Sequence, residues 1–202
     1  MKKKVREFRK CSIVALALMS LCSLNVLAQN VHGHNQTAQI SGSAFDPSND
    51  QQNNLVKVIR EATARFQDVK VAMSAGYQFA LGCVSGSDSG AMGLHYVNGP
   101  LIGSGVLDAT RPQAVLYEAQ PDGSLKLTGV EFVVLADAWN AAHPDGPPQL
   151  MGQLFHFFEA PNRFGLPAFY ALHVWAWKEN PNGAFVNWHP DVSCKAFNGT
   201  AQ

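Results

Sequence analysis

The sequence predicts an α+β domain in which one long N-terminal amphipathic helix packs on a curved antiparallel β-sheet or partial barrel. Two patterns favour this fold class. Between residues 50 and 73, apolar residues recur at spacings of three and four, as they do on one face of an α-helix. After residue 90, runs rich in apolar and aromatic residues are separated by turns rich in glycine, proline and asparagine, as in antiparallel sheets.

The first 28 residues have the composition of a Sec-type signal peptide. A basic head, MKKKVREFRK, precedes an apolar run from Cys11 to Leu27 that ends in Val-Leu-Ala. We therefore expect cleavage near Ala28 and a periplasmic or secreted protein. An uncleaved membrane anchor is the alternative, but small and polar residues within the run lower its hydrophobicity. No other apolar stretch of the sequence is long enough for a span, so none is expected in the mature chain.

The mature chain is expected to be acidic, although the full sequence of 202 residues is neutral. The leader holds six of the fifteen Lys and Arg residues and one acid, Glu7, which leaves nine basic and fourteen acidic residues. No basic patch remains to neutralise phosphates, so nucleic acid is not an expected partner. We place a flexible polar arm at residues 29–49 and a single domain at residues 50–202.

Two cysteines, Cys83 and Cys194, remain after the leader is removed. In an oxidising compartment, an even pair without a CxxC spacing predicts a disulfide bond. A redox-active or metal-binding pair is the alternative. The predicted bridge joins the C-terminal segment to the loop that follows the first helix.

The helix is predicted from a single apolar stripe, which consists of Leu55, Val58, Ile59, Ala62, Phe66, Val69 and Met73. Asn49 or Asp50 can cap its start, and Gly76 suits the left-handed position after its end. A stripe of this kind is typical of a helix that packs on a core, and we expect it to face the sheet.

The strand candidates are residues 91–98, 114–119, 124–135, 153–159, 169–178 and 185–188. Residues 120–123 have the composition of a turn, which sets Glu118 opposite Lys126 as a cross-strand ion pair. By strict alternation of side chains, Glu131 then lies on the apolar face that includes Leu125 and Leu127.

Glu131 is the carboxylate for which this hairpin provides no partner. It must be paired, hydrogen-bonded, metal-bound or protonated, because burying a bare carboxylate costs several kcal/mol or more. Three histidines, His95, His156 and His173, lie in other apolar strand segments. Imidazoles together with one carboxylate match the ligands of zinc and of non-haem iron, and they leave coordination positions for water or substrate.

Three interpretations of this group stay open at the level of sequence. Glu131 can form a buried polar pair with a histidine or with Arg163. The group can instead hold one divalent metal ion, zinc or iron, through ligands drawn from His95, Glu131, His156 and His173. Finally, Glu131 and His95 can act as a metal-free catalytic acid–base pair.

Three aromatic residues are candidates for the lining of a ligand pocket. Tyr117, Trp175 and Trp177 are most simply core residues, but they can also line a pocket for a flat or apolar small molecule. No HExxH or nucleophile-elbow motif is present in the sequence that would define the chemistry.

Three segments carry a resemblance to a known family, namely CVSGSDSGAMGLHYVNG, LTGVEFVVL and LHVWAWKENPNGAFVNWHPDVSC. They are similar to segments of a widespread family of exported bacterial proteins of unassigned function. The similarity runs from about residue 55 to the C terminus. It implies one exported domain and carries over no activity.

The sequence therefore predicts one of two classes of function. The first is an exported small-molecule-binding protein or enzyme, with Glu131, His95 and His173 as the polar centre of a pocket around one divalent metal ion. The second is a non-catalytic structural or interaction protein in which these buried groups only satisfy one another. The distances among the side chains distinguish the two.

Overall fold

A computed structural model of the chain describes residues 47–199, and these residues have the predicted α+β fold. The elements in chain order are α1 (Pro47–Thr63), a 3-10 helix (Ala64–Gln67), α2 (Val69–Ser74), β1 (Gln78–Ser85), β2 (Ala91–Val97), α3 (Gly99–Ser104), β3 (Ala114–Ala119), β4 (Leu125–Leu135), α4 (Ala136–Ala142), β5 (Gln149–Leu150), β6 (Gln153–Leu154), β7 (His156–Phe158) and β8 (Phe169–Val174). The predicted signal peptide, and the predicted arm up to residue 46, lie outside the described residues.

A six-stranded antiparallel sheet in the order β1-β2-β3-β4-β8-β7 forms the centre of the fold and curls into a half-barrel. The short strands β5 and β6 pair with each other as a separate hairpin. Among the described residues, no helix has both the length and the apolar character needed to cross a bilayer.

The N-terminal helices cover one face of the sheet, as the apolar stripe predicts. Leu55, Ile59 and Phe66 are buried in the main hydrophobic core. The helix is interrupted within the stripe, because Asp68 adopts an extended conformation between the 3-10 helix and α2, and its side chain caps α2 by accepting a hydrogen bond from the backbone N–H of Lys70. The last residue of the stripe, Met73, is consequently exposed.

The β3–β4 hairpin has the predicted register at its turn. Glu118 lies opposite Lys126. Its carboxylate, however, pairs with Lys178, whose Nζ lies 2.7 Å from Oε2, and it also accepts a hydrogen bond from the backbone N–H of Ser193. Glu118 thus ties the hairpin to two later segments of the chain, in place of the local ion pair that the register alone predicts.

A β-bulge in β4 changes the face of the sheet on which the later side chains of this strand lie. The register with β3 skips Thr128, which is the extra residue of the bulge. One extra residue moves the following side chains to the other face. Val130 and Phe132 therefore join the core beneath the helices, and Glu131 points to the opposite side of the sheet. The prediction that Glu131 shares a face with Leu127 is wrong for this reason.

The chain leaves the sheet after Val174, earlier than the predicted strand over residues 169–178. The backbone N–H groups of Trp177 and Lys178 both donate to the carbonyl oxygen of Thr128, so the bulge provides their acceptor. Residues 185–188, predicted as a returning strand, form turns instead, and an isolated bridge pairs Ala91 with His189.

Cys83 and Cys194 form the predicted disulfide bond, which joins residues 111 positions apart. In the chain-entropy model, a cross-link over a loop of this length stabilises a protein by about 4–5 kcal/mol because it restricts the unfolded chain. The double substitution Cys83→Ser and Cys194→Ser should lower the free energy of unfolding by about that amount. Urea denaturation would measure the loss, and a thiol reductant added to the unaltered protein should reproduce it. Equal stability of the two proteins would contradict the assignment of a stabilising role to the bridge.

Candidate functional site

Three of the predicted site residues meet on the face of the sheet opposite the helices. His95 belongs to β2, Glu131 to β4 and His173 to β8. Glu131 lies directly opposite His173 on one side and Ala114 of β3 on the other. The small side chain of Ala114 leaves room for Glu131 and His95 to approach each other across β3.

The carboxylate of Glu131 lies between the two imidazoles. Its Oε2 is 3.6 Å from Nε2 of His95, and its Oε1 is 3.6 Å from Nε2 of His173. One ligand atom from each of the three residues lies within 4.8 Å of the other two. All three residues are buried, with exposed fractions of 2% for His95, 8% for Glu131 and 1% for His173. This buried group is able to hold a metal ion.

Burial favours the uncharged form of all three groups. Desolvation raises the pKa of Glu131 to about 8. The same cause lowers the pKa of His95 to about 4 and that of His173 to about 3. Without an ion, the site at neutral pH therefore consists of two neutral imidazoles and a protonated carboxyl group.

The three residues do not satisfy one another's hydrogen bonds. Their closest N···O separations of 3.6 Å exceed the 2.7–3.2 Å that is typical of an N–H···O bond, about 2.9 Å being the most common value. Within residues 47–199, Nδ1 of His95 and both ring nitrogens of His173 are buried without a hydrogen-bond partner. Such atoms are rare in folded proteins and indicate a place for an ion, a water molecule or a ligand.

Each of these two histidines has one more polar neighbour that affects its pKa. The backbone of Gly93 acts on His95 and the side chain of Asn187 acts on His173, and each raises the pKa of its histidine against the larger effect of burial. Neither contact has the geometry of a full hydrogen bond, since both Nδ1 atoms and Oδ1 of Asn187 are without a partner. Nε2 is the nitrogen of each ring that lies 3.6 Å from Glu131, and a proton on Nδ1 would leave it free to bind a metal.

A cavity of about 170 Å³ lies next to the three polar residues. The rest of its lining is apolar and consists of Ala80, Leu81, Met92, Val97, Ile102, Ala114, Val133, Phe158, Phe164, Leu166 and Phe169. Leu166 is 37% exposed, so the cavity reaches the surface beside the turn over residues 161–167.

One wall of the cavity comes from an irregular part of β1. The pairing with β2 passes from Ala80 to Cys83, which leaves Leu81 and Gly82 outside the ladder. Leu81 has a φ of 66°, a left-handed conformation that is costly for a residue with a branched side chain. Strained residues of this kind cluster at ligand sites, where the surrounding structure holds them in place.

Two of the proposed partners of Glu131 lie elsewhere. His156 is exposed in β7, opposite Ala171, and is not among the three residues whose ligand atoms converge. Arg163 is exposed as well, and its guanidinium carbon lies 5.9 Å from the centre of the Phe164 ring. The buried group that can hold a metal is therefore a triad of two histidines and one glutamate.

The three aromatic residues predicted for a pocket do not line this cavity. Tyr117 donates a hydrogen bond to the carbonyl of Phe66. Trp175 and Trp177 donate through Nε1 to the carbonyl of Val186 and to Oγ1 of Thr63, respectively. Phenylalanines replace them in the cavity wall, where the rings of Phe158 and Phe169 are stacked with centroids 4.7 Å apart. The sequence held only a weak signal for these two, namely their places in candidate strands.

No protein-family model, curated protein or solved structure matches this chain. The resemblance to exported bacterial proteins therefore stays a prediction, and the function has to be argued from the site itself.

The raised pKa of Glu131 predicts how the stability of the metal-free protein depends on pH. The unfolded chain loses the Glu131 proton near pH 4.5 and the folded protein loses it near pH 8. Between these values the free energy of unfolding should fall as pH rises, by up to about 1.4 kcal/mol per unit. Glu131→Gln keeps a neutral group of the same shape and should remove this component.

Denaturant unfolding of both proteins between pH 5 and pH 8, with a chelator present, would test this expectation. Between pH 5 and pH 8, the free energy of unfolding of the variant should rise relative to that of the unaltered protein by a few kcal/mol, which is on the order of the integrated pKa shift of Glu131. Parallel curves would show that Glu131 titrates normally in the folded protein.

Proposed function

We propose that this chain is an exported protein in which His95, Glu131 and His173 hold one divalent metal ion, and that the ion binds a small molecule in the adjacent cavity. The observation that carries the proposal is the convergence of three buried ligand groups at the wall of an apolar cavity, where Nδ1 of His95 and both ring nitrogens of His173 lack partners within the described residues.

The distances support a four-coordinate ion. Ligand atoms bound to a tetrahedral metal at about 2.1 Å are about 3.4 Å apart. Both His–Glu separations are 3.6 Å, so small side-chain movements would bring the three groups into coordination distance. In the absence of an ion, the same separations are too long for hydrogen bonds, and they would form an ion pair only with a protonated histidine and an ionised Glu131, both of which burial disfavours.

The identity of the ligands points to zinc or iron. Two imidazoles and one carboxylate are the protein ligands of one class of catalytic zinc sites, and of the iron sites that use two histidines and a carboxylate. Both leave coordination positions open. Because Glu131 lines the cavity, the open position would face it, and a bound ion there can polarise a ligand oxygen or lower the pKa of bound water.

Two other functions have less support. A purely structural role requires that the buried groups satisfy one another, and the unpartnered nitrogens of His95 and His173 disfavour it. A metal-free acid–base pair of Glu131 and His95 requires a hydrogen bond between them, and their separation of 3.6 Å is long for one.

Export is supported by the composition of the first 28 residues and by the disulfide bond, which is typical of oxidising compartments. The exported protein should therefore begin at Gln29. Intact-mass spectrometry of protein recovered from the periplasm or the medium would check this, and an exported chain that begins at Met1 would contradict cleavage.

Metal binding is the direct test of the proposal. Purified protein freed of metal with a chelator should bind one Zn²⁺ or Fe²⁺ ion per chain, as measured by titration and by elemental analysis. Replacing His95, Glu131 or His173 by alanine removes a ligand. Each change should weaken binding by more than the roughly 10–100-fold typical of losing an outer-shell partner.

His156→Ala is the matched control, because it removes an exposed imidazole from the strand next to His173 that is not one of the three converging ligand groups. This variant should keep both the stoichiometry and the affinity. The proposal fails if the unaltered protein binds no ion, or if His156→Ala loses as much affinity as His173→Ala.

A further inference from the structure

We infer that the ligand of the cavity is a compact, apolar monoanion, best represented by an aromatic carboxylate, whose carboxylate occupies the open position of the metal. This inference rests on the proposed metal site and adds the class of molecule that the site would take. Size, polarity and charge each contribute to it.

The size of the cavity restricts the ligand to a small body. A cavity of about 150 Å³ lined by aliphatic and aromatic side chains is large enough for benzene and stays free of water. The cavity here, at about 170 Å³, has room for a ring of that size and one small substituent. A metal-bound water, at about 30 Å³, would fill only a small part of it.

The walls select against polar molecules. Apart from the triad, every residue that lines the cavity is apolar. The hydroxyl groups of a sugar would give up hydrogen bonds to water and find no partners there. A phosphate group would need arginine or lysine to balance its charge, and neither residue type lines the cavity within the described part of the chain.

The net charge of the proposed metal site favours a ligand that carries a single negative charge. A divalent ion bound by two neutral imidazoles and one carboxylate retains one positive charge. An uncompensated charge beside an apolar cavity is costly. A monoanion that binds the ion removes this charge, whereas a neutral ligand leaves it and a dianion reverses it.

The shape of the walls favours a flat body. Phe158 and Phe169 are stacked in parallel at the wall, with an interplanar angle of 4°, and Phe164 lies nearby. Aromatic rings bury a large apolar area and pack well against other rings in offset or edge-to-face arrangements. An aromatic carboxylate therefore meets all the requirements of the site.

Benzoate is a suitable probe, and the cobalt-loaded protein is a suitable host because its visible spectrum reports on the coordination of the ion. Benzoate should change the spectrum and bind about tenfold or more tightly than acetate, which has the same donor without the ring. Benzoate should also bind more tightly than benzyl alcohol, which has the ring without the charge, by a similar factor. Equal affinity for benzoate and acetate would overturn the inference, and so would equal affinity for benzoate and benzyl alcohol.

Filling the cavity provides a second test. Val133→Phe places a ring in the wall next to Glu131 and should weaken benzoate binding about tenfold or more while affecting acetate less. Val97→Phe, on β2, offers the same test if the first variant does not fold. Val71→Phe is the matched control, since Val71 is 38% exposed on α2 and does not line the cavity. Unchanged benzoate affinity in a folded, cobalt-loaded cavity variant would contradict the inference.

The two proposals fail in different ways. If the unaltered protein takes up no cobalt, zinc or iron, the metal site itself is excluded. If it takes up the ion but benzoate has no advantage over acetate and benzyl alcohol, the metal site stands and only the class of ligand is wrong.

Discussion

The single extra residue in β4 determines which side of the sheet receives Glu131, and the candidate site depends on it. Without the bulge at Thr128, strict alternation would direct Glu131 into the core beneath the helices, among Leu127 and its neighbours. The bulge is held by several contacts. Oγ1 of Thr128 donates to the carbonyl of Leu116, and the Thr128 carbonyl accepts from two backbone N–H groups of the segment after β8. Gly129 completes it, because a Cβ there would lie 2.5 Å from the carbonyl oxygen of Val174.

Several features of the site lower the stability of the folded protein, and interactions elsewhere in the fold compensate for them. Two imidazoles are buried with unpartnered ring nitrogens, a carboxyl group is buried between them, and Leu81 adopts a strained backbone conformation in the wall of the same cavity. Against them stand a continuous core under the helices, the partly buried ion pair of Glu118 and Lys178, and a long-range disulfide bond. Binding of an ion through Nε2 of both rings would give the unpartnered Nε2 of His173 a partner, and the free energy of binding would add to the stability of the folded protein.

The features that the sequence predicts correctly depend on residues that are close together in the chain, through helical periodicity or through the register that a turn sets. The stripe of Leu55, Ile59 and Phe66 follows from helical periodicity, and the position of Glu118 opposite Lys126 follows from one turn. The polar residues of the triad stand out because histidine and glutamate are unusual in apolar strands. Their convergence could not be derived, since it depends on the order of strands in the sheet.

The predictions that are wrong share one physical cause, because each depends on how strands that are distant in sequence pair with one another. Thr128 becomes a bulge only through its register with β3 and the close approach of Val174, and neither is encoded next to it in sequence. His156 is flanked by apolar residues in sequence, as His173 is, yet it is exposed, and its strand β7 lies at the edge of the sheet. Trp175 and Trp177 are of a residue type that often lines pockets. Whether an aromatic ring packs in the core or lines a cavity, however, depends on which face the completed sheet leaves uncovered.

The position of the disulfide bond has a consequence for how the cavity responds to its surroundings. Cys83 follows Leu81 and Gly82 directly, at the point where β1 resumes its pairing with β2. The left-handed segment that forms one wall is thus anchored covalently to the segment around Cys194. Reduction of the bridge would remove this covalent anchor, whereas the pairing of the strands that carry His95, Glu131 and His173 does not depend on it. Under the proposed function, loss of this anchor would alter the fit of a small molecule in the cavity before it affected the proposed metal ligands, so reduction would change ligand affinity separately from metal content.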